Sequence, residues 1–487
     1  MLAKLLSTTL NGIEALPVRV EVDLANGLPG LHIVGLPDAS VSEAGARVKS
    51  ALRNSDFRYP MRRITINLSP GDLRKQGPSF DLAIALGVLV ADGQLPPDCL
   101  DGAMVLGELA LDGQLVPVRG VVPGLLCAQR LNVRLALVPE QNLAEASVVE
   151  GVRVAGVSSL KQAVAVLKGA RVAKFRPPAP LESEAPVELA LVRGQPQARR
   201  AIEIAAAGGH HLMLCGPPGC GKTMLARAMI GILPRLTDQQ RLEVVAIESV
   251  CRTAPEVTSL RPFRAPGHGI TPTALLGGIR PGEVTRAHHG VLFLDEFPEF
   301  RRDCLEGLRT VLDQGWVEVA RRHFQWTYPA SFSLVAAMNP CPCGYAGDPE
   351  KQCQCSEYLV RRYQSRFSGA MRDRFDLTVP MGRPRTEAYL DTRPEESTAE
   401  VSRRVHSARL RQQRRGLLNC QLQGRELAQY CALSESARQF AGQAVERLAL
   451  SLRAYDRWLR VARTIADLEG VDELTVDHLA EALEYRL

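Results

Sequence analysis

No run of apolar residues in this 487-residue chain is long enough to cross a bilayer. The longest, Leu82 to Ala91, falls well short of the twenty or so residues a helical span requires. The first residues, "MLAKLLSTTLNGIEALPVRV", have neither a sustained apolar stretch nor a small-residue cleavage site, so they read as mature protein and not as a leader. Repeats and low-complexity tracts are missing too. Charge of one sign is nearly balanced, at a formal +6, which permits nucleic acid as a partner without demanding it. What remains is an ordinary soluble composition, 46% hydrophobic and 23% charged, in a chain too long for one core. Twelve cysteines without secretion signals point to the cytoplasm, where close cysteine pairs more often bind metal than form disulfides.

The chain divides in composition. Residues 1–170 mix short apolar strands with Gly-rich turns. A segment at 171–188 containing "FRPPAPLESEAPVE" has the Pro/Glu content of a linker. Residues 189–385 alternate strand-like runs ("HLMLCG", "GVLFLDEF", "SFSLVAAMN") with helical stretches, the pattern of a parallel α/β sheet. Residues 386–487 lack strand signals and read as helices, one ending near Gly470 and a last one capped by Thr475.

A nucleotide site is written into the third of these segments. Gly216, Pro217, Pro218, Gly219, Cys220, Gly221, Lys222 and Thr223 follow an apolar strand and open a helix. That context lets backbone N–H groups and a helix N-terminus cradle phosphates; Lys222 meets the β/γ-phosphates and Thr223 ligates magnesium. The run "VLFL" then delivers Asp295 and Glu296 to the carboxyl end of a buried strand, where open α/β sheets bind ligands. Asp295 is expected to hold magnesium and Glu296 to polarise the attacking water. Asn339, ending a third strand, is placed to position that water or sense the γ-phosphate.

Together, the phosphate loop, "LFLDE", "AAMNPCPCG" and "LRVARTIADLEG" resemble the magnesium-chelatase-like AAA+ ATPases of the YifB/ComM type, across essentially the whole chain. The resemblance implies a Lon-protease-like α+β N-terminal domain, an AAA+ P-loop α/β domain and a C-terminal helical lid. It also implies ATP and Mg2+ as cofactors and a ring, usually hexameric, with nucleotide between neighbouring subunits. In "SGAMRDRFD", Arg374 matches the arginine that reaches the neighbour's nucleotide, with Arg372 as its rival; Arg453 matches a lid arginine that touches the γ-phosphate in cis. Arg460 and Arg463 fit a solvated or ion-paired face equally well. For members resembling ComM, the implied activity is ATP-driven branch migration of DNA in homologous recombination during natural transformation, with DNA and recombination proteins as partners.

Cys341-x-Cys343 and Cys353-x-Cys355 place four soft ligands in one loop. Structural zinc, reduced thiols and a redox-sensitive pair all suit that spacing. Residues Trp316 to Tyr328 read as two strands with "ARRHF" at the turn, and the resemblance makes them a pore hairpin. Arg321, Arg322 and Phe324 would there grip backbone phosphates and stack on bases; a solvent-facing basic turn explains them too. A second loop, Arg261 to Glu283, resembles the family's other pore-facing insertion. His268, His288 and His289 read as ordinary loop histidines rather than metal ligands. The arginine-rich helix Val401 to Gly416 and the pair Arg74 and Lys75 are weaker candidates for DNA contact.

The N-terminal region carries a Gly-Pro-Ser at Ser79, as in Lon, but aligning the motifs puts Val122 where Lon has its lysine. A hydroxyl with no base to take its proton is not a nucleophile, so the fold is expected without the peptidase. Three other readings compete with a DNA motor: a protein- or chelatase-remodelling ring, an ATP-dependent peptidase, and a nucleotide-gated scaffold without turnover.

Overall fold

In the computed structural model, the described residues are 2–171, 175, 187–321, 324–348, 350–383 and 395–486. Most of the expected linker, the expected boundary after residue 385, and Arg322 lie outside them.

The N-terminal region is α+β. β1 (Ala3–Asn11), β2 (Glu14–Ala25), β3 (Gly30–Val34), β4 (Arg63–Ser69) and β5 (Ala103–Val105) form part of a seven-stranded sheet. A short ribbon, β6 (Glu108–Leu109) with β7 (Leu115–Val116), precedes the sheet's last members, β8 (Leu135–Pro139) and β9 (Val154–Val157). The order is β3-β4-β2-β1-β5-β8-β9. The apolar run Leu82 to Ala91 is a helix, Asp81–Ala91, buried on every side, which is why it shows no polar face.

The ATPase region carries a five-stranded parallel sheet in the order β11-β12-β15-β10-β16. Its members are β10 (Leu212–Cys215), β11 (Phe263–Arg264), β12 (Val291–Leu294), β15 (Ser333–Met338) and β16 (Leu377–Pro380). All of β12 and β15 is buried, as strands covered by helices on both faces must be. Register decides what meets at the carboxyl edge. Cys215 pairs with Met338 and Leu294 with Ala336, so the phosphate loop, Asp295 and Asn339 leave from adjacent strands.

Between β12 and β15, β13 (Trp316–Arg321) and β14 (Phe324–Pro329) form the antiparallel hairpin expected from sequence. From 395 onward the described residues are helical. The helix Leu452–Glu469 ends on left-handed Gly470, and the helix Val476–Glu484 starts from a capping box at Thr475 and His478.

The N-terminal and ATPase regions share a core. Val121, Val122 and Leu125 of the helix Val121–Arg130 pack with Val245 of the helix Asp238–Cys251. Ser249 on that second helix accepts from Gly120 N at 2.8 Å through its carbonyl and from Val122 N at 3.3 Å through its hydroxyl. Val122 is therefore sealed in an interface, and the peptidase reading loses the space for a catalytic base as well as the base itself.

Glu145 lies beside this seam, wholly buried, with Asn142 and Ser249 as hydrogen-bond partners and one oxygen unpartnered. Burial pushes its carboxyl up to about 7. A folded pKa above the unfolded value means that raising the pH from about 4.5 through 7 removes stability as the buried group ionises. Glu145→Gln is thus expected to melt above the parent at pH 8 and to match it near pH 5. Equal melting shifts at both pH values would contradict this.

Two expectations are corrected here. Lys75 has no exposed surface and donates to the Pro70 carbonyl, so it is a structural cation and not a DNA contact. In the helix Thr398–Arg415, Arg403 and Arg414 are exposed, and other arginines are engaged within the protein. Arg404 pairs with Glu203 and Glu396, Arg409 donates to Ala206 O, and Arg415 pairs with Asp467. Arg404 and Arg409 tie this helix to the helix Pro196–Gly208, and Arg415 pairs within the C-terminal helices. Of the two readings open for Arg463, the structure gives the ion-paired one: it is buried against Asp467 and the carbonyls of Val471 and Asp472.

Candidate nucleotide site and cysteine cluster

The phosphate loop is shaped by glycines in backbone regions closed to other residues. Gly219 and Gly221 have φ of +79° and +94°, and nothing lies within 4 Å of where their side chains would be. A Cβ on Gly216 would sit 2.2 Å from Met381 O, so this turn also requires glycine. The loop runs into the helix Lys222–Ile232, whose N-terminus faces the same space.

Two contacts bring the expected residues together. Lys222 Nζ donates to Gly216 O at 2.6 Å, to Pro217 O at 2.9 Å and to Asn339 Oδ1 at 3.1 Å. Thr223 Oγ1 donates to Asp295 Oδ2 at 3.0 Å. A hydroxyl and a carboxylate so placed are hard oxygen ligands of the kind magnesium takes alongside phosphate oxygens. Glycine cradle, lysine and oxygen pair together fit a magnesium nucleotide.

Glu296 follows Asp295 in a left-handed conformation, φ +52°, that costs a non-glycine residue about 1 kcal/mol or more. Its carboxylate meets His268 Nδ1 at 3.2 Å, with both side chains about half exposed. His268 belongs to the second long loop, so that loop touches the acid expected to activate water.

The arginines lie elsewhere. Arg374 NH2 donates to Asp313 Oδ2 at 2.5 Å, while its Nε is buried without a partner. The Arg372 guanidinium stacks 5.4 Å over the Phe367 ring. Between them Asp373 pairs with Arg457 of the lid helix at 3.3 Å. Arg453 is exposed in the first turn of that helix. The structure therefore does not bring Arg374 to the loop of its own chain. For the hairpin, Arg321 and Phe324 are register partners at the end next to the turn.

The four cysteines converge. Cys341 Sγ lies 3.3 Å from Cys343 Sγ and 3.6 Å from Cys353 Sγ, and Cys343 to Cys353 is also 3.6 Å. Cys355 completes a group whose sulfurs are all within 4.8 Å of one another. Thiolates about 2.3 Å from a tetrahedral zinc are about 3.8 Å apart, so this set fits with small adjustment. Backbone N–H groups already point at the sulfurs: Ala346 N to Cys341 at 3.3 Å and Cys355 N to Cys353 at 3.4 Å. The N–H groups of Tyr345 and Gln354 push the Cys343 thiol down to about 6.

Sequence reasoning missed how this cluster meets the nucleotide loop. Gly344, at φ +86°, packs so closely on the phosphate loop that a Cβ would lie 2.6 Å from Pro218 Cδ. The glycine between two cysteine pairs was the available signal. Gln195 was missed as well; its amide donates to Gly382 O at 2.7 Å and to Cys220 O at 3.4 Å, closing the loop from the far side.

Glu243, His288 and His289 form a second convergent group. Ser331 N donates to His288 Nδ1 at 3.0 Å, which leaves the ring proton on Nε2, facing Glu243 Oε2 at 3.4 Å. A nitrogen carrying that proton has no lone pair for a metal. These histidines lie at the strand starts opposite the nucleotide loop.

Comparison with known proteins gives the family. A family model described as magnesium chelatase, subunit ChlI, matches residues 188–389; two companion models, of subunit ChlI and of its C-terminal part, match 20–142 and 395–486. YifB of Escherichia coli is 43% identical over 98% of this chain and 95% of its own length. Competence protein ComM of Haemophilus influenzae is 41% identical over 100% of this chain and 97% of its own. A partial likeness, 26% over 35% of the chain and 36% of the relative, links it to Lon protease 2 of Bacillus subtilis. Among the described residues no helix is long and apolar enough to cross a membrane.

Proposed function

On the premise that this chain belongs to the YifB/ComM family of magnesium-chelatase-like AAA+ ATPases, we propose that it is a ring-forming, ATP-driven DNA motor. In this reading it migrates DNA branches during homologous recombination in natural transformation, as a cytoplasmic hexamer of three-domain protomers. The observation that carries it is the pair of contacts Lys222–Asn339 and Thr223–Asp295, which assembles a nucleotide site at one sheet edge. The DNA part is supported by full-length similarity to a protein named for competence. It is supported too by the hairpin inserted between β12 and β15.

In this mechanism Lys222 exchanges the carbonyls of Gly216 and Pro217 for phosphate oxygens, and Thr223 with Asp295 would hold magnesium, which would supply neutralisation of the phosphate charge. Glu296 polarises the water, Asn339 orients it, and Arg374 reaches across the seam from the neighbouring protomer. Arg453 touches the same phosphate from the lid. Arg321, Arg322 and Phe324 then engage the strand.

DNA-dependent ATPase on the purified protein is the test, with fork or Holliday-junction unwinding. Turnover raised by single-stranded or branched DNA, with unwinding, is expected. Turnover indifferent to DNA but raised by a protein partner would favour a remodelling or chelatase-type ring. The pairing of Arg404 and Arg415 within the protein, which takes part of that helix's charge away from a ligand, is the one observation on that side.

We assign zinc to Cys341, Cys343, Cys353 and Cys355, bracing Gly344 on Pro218 behind the phosphate loop. Purified protein should carry one zinc per chain by atomic emission. Cys353→Ser should lose it and weaken ATP binding severalfold through the loosened loop. Metal-free parent protein with unchanged ATP affinity would contradict the assignment.

A further inference from the structure

The ATPase reading leaves the N-terminal domain without a task, yet this domain touches the hairpin directly. β1 and β2 are joined by a two-residue turn, Gly12–Ile13, closed by the pair Asn11 and Glu14. Gly12 has φ +67° while Ile13 does not enter the positive region, the combination that a tight hairpin with glycine first requires. This turn is pressed onto β14. Trp326 Nε1–H donates to Asn11 Oδ1 at 2.8 Å. Gly12 lies so close that a Cβ would sit 2.9 Å from Trp326 Cδ1 and 3.3 Å from Tyr328 Cε1. Ile13 packs on the apolar cluster that holds Val317, Trp326 and Tyr328.

The contacted face of the hairpin is its anchored one. Along β14, Trp326 and Tyr328 are buried while Gln325 and Thr327 are exposed, so the strand turns one edge inward toward its support. Tyr328 OH faces Gly278 O at 3.1 Å and Ile279 O at 3.2 Å, tying the same strand to the second long loop. The N-terminal domain is itself fixed to the ATPase body at another place, where Gly120 and Val122 bond Ser249. A domain held at two points, one of them on the hairpin's buried face, fixes that hairpin's direction.

We propose that the N-terminal domain aims the hairpin: Asn11 and Gly12 position β13–β14 for its ligand, and the N-terminal fold serves as a brace. Its consequence for DNA rests on the proposed reading of the hairpin. Asn11 is here a positioning residue that acts through Trp326.

The test uses the full-length chain with Asn11→Ala, Asn11→Asp and Gly12→Ala. Removing one hydrogen bond should change the relevant equilibria about two- to tenfold. For Asn11→Ala, amide exchange across residues 316–329 should quicken by that factor. The concentration of single-stranded oligonucleotide giving half-maximal ATPase stimulation should rise by the same factor, with turnover in the absence of DNA unchanged. Asn11→Asp keeps the accepting oxygen and should restore both. Gly12→Ala, strained at positive φ and crowding the indole, should show the larger effect. Unchanged exchange in both Asn11→Ala and Gly12→Ala overturns the proposal, as does a DNA-free turnover that falls in step with the other readouts. If DNA fails to stimulate even the parent, the motor reading fails, and the exchange measurement still decides the brace.

Discussion

Replacing Glu296 by glutamine is expected to leave a protein that binds ATP as the parent does and turns it over roughly 10² to 10⁴ times more slowly, the range lost with a general base. Glutamine keeps the length and planarity of the side chain and tolerates the same left-handed backbone, φ +52°, so the geometry survives and only the carboxylate is removed. The neighbouring contacts Thr223–Asp295 and Lys222–Asn339 involve other atoms and remain. Affinity by a fluorescent ATP analogue and turnover by phosphate release separate the two quantities. Parent-like turnover in Glu296→Gln would remove the residue from the mechanism.

Arg374→Ala is the second large effect. A guanidinium lent to the transferring phosphoryl group contributes about 10³ to 10⁵ in rate in related phosphoryl transfers, so turnover should fall by that order while each protomer still binds nucleotide. Within one chain Arg374 is parked on Asp313 at 2.5 Å, with its Nε buried and unpartnered, an arrangement open to exchange for a phosphate at an assembled seam. Arg372→Ala should cost at most a few-fold, because that guanidinium lies over the Phe367 ring. The reverse ranking of the two variants would hand the role to Arg372.

Much of this could be read from residues in order. "VLFL" before Asp295 and the glycine loop before Lys222 announce a buried parallel strand and a phosphate cradle, because each needs only local pattern. Thr475 caps its helix as its spacing predicts. The hairpin was legible as two strand-like stretches between Trp316 and Tyr328 on either side of "ARRHF".

What local pattern cannot give is the partner across space. Lys75 looks like a surface cation in "LRKQG" and is buried, because the chain folds back over it between Leu36 and Asp38. The basic helix at 398–415 looks like a DNA surface, but its carboxylate partners Glu203 and Asp467 are about 200 and 50 residues away in sequence. The packing of Gly344 on Pro218 and the burial of Val122 against the helix Asp238–Cys251 are likewise long-range facts.

The central claim is that hydrolysis happens between protomers, with cradle and guanidinium from different chains. Mixing Glu296→Gln with Arg374→Ala protein tests it most directly. Each alone is nearly silent, yet a seam joining an Arg374→Ala cradle to a Glu296→Gln neighbour holds every group, so an equal mixture should recover about a quarter of parental turnover. A mixture as inactive as its two components, under conditions where rings are seen to form, would contradict the account.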